Sequence, residues 1–226
     1  MKSALIKKTL LAATLFLGAT PSAFANTGDV AIGLKGSTLG IGGEVTMNLI
    51  PSVNVRSGFN AFNYNGSATK SDIDYNYKFK LQTIPVLLDL HPIADSGFRF
   101  SSGILINNNK VTATAKSLTS YNIGDHDYSS GEVGTLTGKI DFNNVSPYAG
   151  LGWGNAVSKH GSLTLSCDFG VMFQGTPKVS LNSTGGSLSS NSAFQAELAK
   201  EETKVKDSTN DFKYFPVVSI GLAYSF

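Results

Sequence analysis

Phe212-Lys213-Tyr214-Phe215-Pro216-Val217-Val218-Ser219-Ile220-Gly221-Leu222-Ala223-Tyr224-Ser225-Phe226 closes the sequence, and its residues sort by parity into two kinds. Phe212, Tyr214, Val218, Ile220, Leu222, Tyr224 and Phe226 share one parity, which only Pro216 interrupts. Lys213, Ser219, Gly221, Ala223 and Ser225 hold the other, together with Phe215 and Val217. Successive side chains of a β-strand point to opposite faces, so the segment reads as a strand with one apolar face. In a soluble sandwich that face would be core; in a transmembrane barrel it meets lipid.

Working back from this strand, the same alternation recurs. Leu163, Leu165, Cys167, Phe169, Val171 and Phe173 alternate with Ser162, Thr164, Ser166, Asp168 and Gly170. Ile73, Tyr75, Tyr77, Phe79 and Leu81 alternate with Asp74, Asn76, Lys78, Lys80 and Gln82, and Leu39 to Leu49 alternate with Gly40 to Asn48. Weaker versions run through 53–62, 98–106 and 147–153, and a short one, Val30, Ile32 and Leu34, precedes them all. Between Leu34 and Leu39 the apolar parity flips, which a tight turn at Lys35-Gly36-Ser37-Thr38 explains. With that turn the strands number eight, and both ends of the barrel fall on the periplasmic side; a bulge there would leave seven.

The connectors then alternate in length. Ile50-Pro51-Ser52, 91–97 and 158–161 are short, whereas 110–137 and 175–211 are long. Short periplasmic turns and long extracellular loops are the habit of outer-membrane barrels. Within the second long loop, 192–206 reads as a helix with Phe194, Leu198 and Val205 on one stripe and Glu202 and Lys206 at i,i+4. It can serve as a solvated loop element, a cap over the barrel mouth or a partner-binding surface.

The opposite end of the sequence indicates export. Lys2, Lys7 and Lys8 precede the apolar run 10–17, and Ala23-Phe24-Ala25 has the form that signal peptidase cuts after. The expected organisation is a signal peptide at 1–25 and a barrel domain at 26–226. The apolar run is too short for the roughly 20 residues of a spanning helix. Removing three lysines from 18 basic residues leaves 15 against 16 acidic, a net charge of −1, so nothing in the exported part speaks for nucleic acid. The single cysteine, Cys167, has no partner for an internal disulfide, and 24 glycines with only 15% charged residues suit strands and turns.

Ser219, Gly221, Tyr224 and Phe226 resemble the C-terminal β-signal by which the outer-membrane assembly machinery recognises barrels. More loosely, Pro147-Tyr148-Ala149-Gly150-Leu151-Gly152-Trp153-Gly154-Asn155, followed by 173–179 and 214–218, is similar to a group of proteobacterial outer-membrane β-barrel proteins. The resemblance implies fold and location, with outer-membrane lipid, lipopolysaccharide and the assembly machinery as partners, and brings no activity with it.

With the apolar parity facing lipid, Glu44, Arg56, Lys78, Lys80, Arg99 and Asp168 fall in the lumen, Glu44 and Asp168 as two acids against an excess of cations. Eight strands enclose just enough space for side chains, so a packed ionic network is expected rather than an open pore. Gly150, Gly152 and Gly154 share the inward parity, where a narrow barrel has little room. His160-Gly161-Ser162 has the His-x-Ser form of lipid A deacylases, but it sits in a periplasmic turn, away from the outer leaflet. Asp125-His126-Asp127 could ligate a cation only if adjacent residues pointed the same way, and His91 before Pro92 reads as turn chemistry. The sequence therefore offers no catalytic, cofactor or metal residues. It predicts a monomeric, non-catalytic envelope protein with a structural or surface-contact role. A carrier or narrow channel for a small solute, a hydrophobic one included, is the alternative, and a lipid A-modifying hydrolase the minor one.

Overall fold

The computed structural model describes residues 28–70, 73–93, 96–117, 120–124, 126–157 and 163–226. The expected leader at 1–25, Asp125 and His160-Gly161-Ser162 lie outside the described residues. Thirteen strands are seen among them. The first five are β1 (Val30–Ser37), β2 (Gly40–Ile50), β3 (Val53–Lys70), β4 (Ile73–Leu90) and β5 (Phe98–Asn107). Then follow β6 (Lys110–Ser117), β7 (Ser120–Ile123), β8 (His126–Ser129), the short helix α1 (Ser130–Val133) and β9 (Gly134–Asp141). The last are β10 (Val145–Trp153), β11 (Leu163–Phe173), β12 (Lys178–Gly185), helix α2 (Ser192–Ser208) and β13 (Tyr214–Ser225).

Eight of these strands close a ring. The order is β4-β3-β2-β1-β13-β11-β10-β5, and β5 pairs again with β4. All the pairings are antiparallel, so the chain forms an up-and-down barrel with no free edge among its eight walls. Its outer face is the apolar parity expected from the sequence: Leu34, Ile41, Leu88, Ile104, Leu151, Leu165, Phe169, Ile220 and Leu222 are all exposed. An exposed apolar band of this kind is what the strands of transmembrane barrels turn toward lipid.

The flip of parity after Leu34 is a turn. β1 runs to Ser37, Thr38 and Leu39 make the corner, and Gly40 begins β2 at φ +107°, where a Cβ would stand 2.4 Å from the carbonyl oxygen of Ala61. Ser37 Oγ accepts from Leu39 N at 3.1 Å and donates to Gly40 O at 3.0 Å, so the turn is fixed by a side chain of its own.

The long loops are more structured than the sequence indicated. β5 continues into β6, β9 into β10 and β11 into β12 across breaks of a few residues, so the barrel wall rises on one side into a sheet β3-β4-β6-β9-β12. These segments do alternate, with Val111, Leu136, Ile140, Val179 and Leu181 against Lys, Thr, Ser, Asn and Asp, but each is short and carries few large apolar side chains, so within long polar connectors they read as loops. The predicted helix is present, extended to Ser208 and started by Asn191, whose side chain accepts from Ala193 N and Phe194 N. It packs, with β7, β8 and α1, on the side of the sheet continuous with the lumen: Phe194 and Leu198 join Tyr121, Ile123 and Val133 in a buried cluster that rests on Ala115, Leu136 and Leu181. Glu202 accepts a bond from Leu181 N at 2.6 Å, which covers part of the exposed edge of β12.

Lys78 and Lys80 correct the lumen assignment. In β4, Thr83, Leu87 and Asp89 are buried in the barrel, and the register against β3 runs without a shift from Val86 to Ile73, so even-numbered positions point outward throughout. Both lysines are therefore on the outside and exposed. The apolar parity inverts along β4 from even, at Ile84 to Leu90, to odd, at Tyr75 to Leu81, while the geometry does not. The surroundings change instead: below, lipid lies outside and polar lumen inside; above the membrane, water lies outside and the cap inside. β3 shows the same inversion, since Phe62 and Tyr64 lie on the face that carries Arg56 and Asn60.

Candidate functional site

The lumen is filled in layers. At its centre Arg56 of β3 bonds Asp168 of β11 through both terminal nitrogens, at 3.0 and 3.2 Å, and approaches Asp89 of β4 at 2.8 Å and Glu44 of β2 at 3.5 Å. Arg99 of β5 bonds Asp168 and the carbonyl of Gly154, and Lys35 of β1 bonds Glu44 at 2.7 Å. Ser219 donates to Asp168 at 2.9 Å, and Ser101 donates to Asp89. Lys35, Arg56 and Arg99 thus balance Glu44, Asp89 and Asp168. All six charged side chains are less than a tenth exposed, and such a group is tolerable only because each charge has a partner.

Of the six residues expected in this network, Glu44, Arg56, Arg99 and Asp168 are brought together, and Lys78 and Lys80 are not. Asp89 and Lys35 were missed. Asp89 shares its parity with the apolar residues Tyr75 to Leu81, so a single apolar face for β4 would turn it toward lipid; Lys35 sits at the flip beside the turn. The signal for Asp89 was its flanking pattern, with Ile84, Val86, Leu88 and Leu90 all on the other parity.

The inward glycines have a defined purpose. A Cβ on Gly152 would stand 2.7 Å from Asp168 Oδ1 and 2.8 Å from Arg99 Nε, and one on Gly150 or Gly170 would strike the Tyr148 hydroxyl at 2.5 or 2.4 Å. These positions hold the space for the Arg99 guanidinium and the Tyr148 ring, which no larger residue would leave open.

Toward the end of the barrel that carries the β1–β2 turn and the raised sheet, the ions give way to an apolar layer of Leu39, Leu87, Leu105, Tyr148, Met172 and Val217, with Phe215 against it. Leu39 comes from the β1–β2 turn itself. Above this layer Asn60 donates to Thr83 at 3.1 Å and Asn107 to Ser146 at 3.4 Å. Toward the opposite end Asn48, Asn54 and Asn155 form a chain of amide bonds, and Val157 packs with Ala31 and Ala223. Two cavities adjoin Arg56, of about 20 Å³ and 10 Å³. Neither exceeds the room needed for a water molecule or two.

The remaining candidates do not assemble. Asp127 accepts from Asn122 at 2.9 Å, while His126 Nδ1 meets Gly124 O at 3.1 Å, so the two side chains have separate partners. Among the described residues no group of three or more His, Cys, Asp and Glu is placed to hold a metal. His91 is buried and lines the lower cavity beside Arg99 and Asp89, a placement that its reading as turn chemistry did not include. Cys167 is free and partly exposed. Ser219, Gly221, Tyr224 and Phe226 lie in or just after the closing strand, where Ser219 serves the ionic network and Tyr224 pairs with Ile32 and Leu163.

No protein-family profile and no curated protein matches the chain. Among solved structures it is similar to CarO2 of Acinetobacter baumannii, with a TM-score of 0.57 and 22% identity over 88% of this chain and 98% of that one. It is also similar to CarO of Acinetobacter baumannii, with a TM-score of 0.54 and 20% identity over 91% of this chain and 100% of that one. At this identity the likeness is one of fold: a closed eight-stranded barrel.

Proposed function

We propose that this protein is a closed, non-conducting and non-catalytic outer-membrane barrel whose work is done at the cell surface by the platform of β6, β9, β12 and α2. One observation carries the reading: the lumen is stopped by a charge-balanced plug, an apolar layer above it and Val157 below it. The chain invests its remaining ordered structure in a sheet with its own buried cluster outside the membrane. In this reading the leader at 1–25 is removed on export. The assembly machinery recognises Ser219, Gly221, Tyr224 and Phe226, and the barrel serves as a monomer.

A gated path for a small solute is the second reading, because the two small cavities meet at Arg56. Both readings are tested in one experiment. Purified protein in planar bilayers is expected to give no reproducible conductance, with Arg56→Ala and Asp168→Ala as companions. A conductance in the unaltered protein overturns the closed reading, and one confined to the variants identifies the ionic network as the plug.

A further inference from the structure

The displaced lysines are part of a larger arrangement. Register pairs Lys80 with Lys110, Lys110 with Asp141 and Asp141 with Lys178, so these four form one row across β4, β6, β9 and β12. The next row contains Lys78, Thr112, Lys139 and Ser180. Outward parity in β4 places both rows on the outer face of the wall. Five lysines are thus gathered around a single acid, Asp141, which bonds Lys139 at 2.5 Å. Lys78, Lys80, Lys110 and Lys178 are exposed.

Their height matters as much as their sign. On the same face of β4 the apolar band begins at Ile84, four residues below Lys80, and continues through Val86, Leu88 and Leu90. At about 3.4 Å per residue and a tilt near 40°, Lys80 stands roughly 10 Å above the first lipid-facing side chain. Headgroups occupy that zone, and a lysine stem can lie along apolar surface while its ammonium reaches for an anion. In the outer leaflet of an outer membrane the anions at this level are the phosphates of lipopolysaccharide.

We propose that Lys78, Lys80, Lys110, Lys139 and Lys178 form a binding site for the phosphorylated glucosamine headgroup of lipopolysaccharide on the tall side of the barrel. Lys80 and Lys110 are like charges in adjacent register positions, which disfavours the sheet unless an anion joins them, and Asp141 already serves Lys139. A diphosphorylated headgroup answers that geometry, with one phosphate for each row. The inference uses the outward orientation of the wall and not the closure of the lumen, so a conductance result and a lipid-binding result fail independently.

The full-length exported chain, folded in detergent micelles, is titrated with diphosphorylated lipid A, and the affinity is compared with that for lipid A stripped of phosphate and for inorganic phosphate. Lys78→Gln/Lys80→Gln/Lys110→Gln/Lys178→Gln is expected to bind diphosphorylated lipid A at least tenfold more weakly. Lys200→Gln/Lys204→Gln/Lys206→Gln on α2 is expected to bind as the unaltered protein does. Removing the lipid phosphates is expected to weaken binding to the level of the four-lysine variant, as is about 0.5 M salt, which screens exposed charge. If the four-lysine variant does not give a folded, heat-modifiable band, Lys80→Gln/Lys110→Gln carries the test, with about a threefold loss expected. Equal affinity for the variant, or for lipid A without phosphate, overturns the proposal. Displacement of the lipid by millimolar inorganic phosphate overturns the assignment to a lipid headgroup.

Discussion

Arg56 and Asp168 meet across the full width of the barrel. β3 and β11 stand four strands apart in a ring of eight, and the two side chains, 112 residues apart in sequence, share two hydrogen bonds. Asp168 also bonds Arg99, so one carboxylate holds two guanidinium groups in a region with room for little water. Truncating it leaves Lys35, Arg56 and Arg99 against Glu44 and Asp89 alone, one buried positive charge in excess. Asp168→Ala is expected to lower unfolding stability in lipid vesicles by about 3–5 kcal/mol, the cost of a broken buried pair. A urea titration that gave a loss below about 0.5 kcal/mol, as for an exposed pair, would show that the lumen is wet.

The inversion of apolar parity along β4 locates the membrane surface between Lys80 and Ile84, and two substitutions on the same outer face can check it. Val86 lies within the apolar band, whereas Thr114, between Asn76 and Thr137 in register, lies above it. Val86→Arg is expected to cost about 2–4 kcal/mol, the penalty for a cation near the middle of a bilayer. Thr114→Arg should change stability by less than about 0.5 kcal/mol, as an ordinary surface substitution does. Equal losses at both positions would mean that lipid reaches the lysine rows.

That inversion also explains what could be read from the residues alone. Eight strands, the turn after Leu34, the alternation of short and long connectors and the helix after Asn191 all leave periodic or positional marks. The lumen network was legible where a strand stays within the membrane, as for Glu44, Arg56, Arg99 and Asp168. It was misread where a strand leaves it. Hydrophobic alternation reports which medium each face touches, and β4 changes medium on both faces at once, so alternation alone turns Lys78 and Lys80 toward the lumen and Asp89 away from it. The strands β6, β9 and β12 face water on one side and the cap on the other, but each is only eight residues long and turns few large apolar side chains inward, such as Leu136 and Leu181, so the pattern is brief within long polar connectors.

Closure of the barrel depends on the last residues. Phe226 N donates to Val30 O at 3.0 Å, and its ring meets that of Tyr224 edge-on with centroids 5.2 Å apart, both exposed on the lipid face. Aromatic side chains of this kind sit at the membrane interface. Deleting Phe226 removes that ring and the bond that completes the seam between β1 and β13. The amount of folded, heat-modifiable protein in the outer membrane is expected to fall severalfold, and unchanged levels would exclude a role for this residue in assembly.

The surface platform should respond to acid before the barrel does. Glu132 accepts from the backbone N–H and hydroxyl of Ser129 at 2.7 and 2.8 Å, closing a capping box at the start of α1, and these bonds hold its carboxyl below the usual glutamate range. Glu201 is held low as well, first by its bond from Lys204 and also by one from Gly124 N, which ties α2 to the β7–β8 hairpin. A carboxyl whose titration point is depressed by folding adds stability that is complete above its unfolded value, about 4.3, and is lost as pH falls through the lower folded value. Both groups therefore support the platform at neutral pH and stop doing so below about pH 4. Both are solvent-facing, so the effect is one of local fraying rather than global unfolding. Limited proteolysis with pepsin between pH 5 and 3 is expected to expose cleavage around α1 and the β7–β8 hairpin while the barrel keeps its heat-modifiable mobility. Glu132→Gln/Glu201→Gln should show part of that cleavage susceptibility already at pH 5, and cleavage that did not depend on pH or on either carboxyl would remove these two residues from the account of how the platform is held.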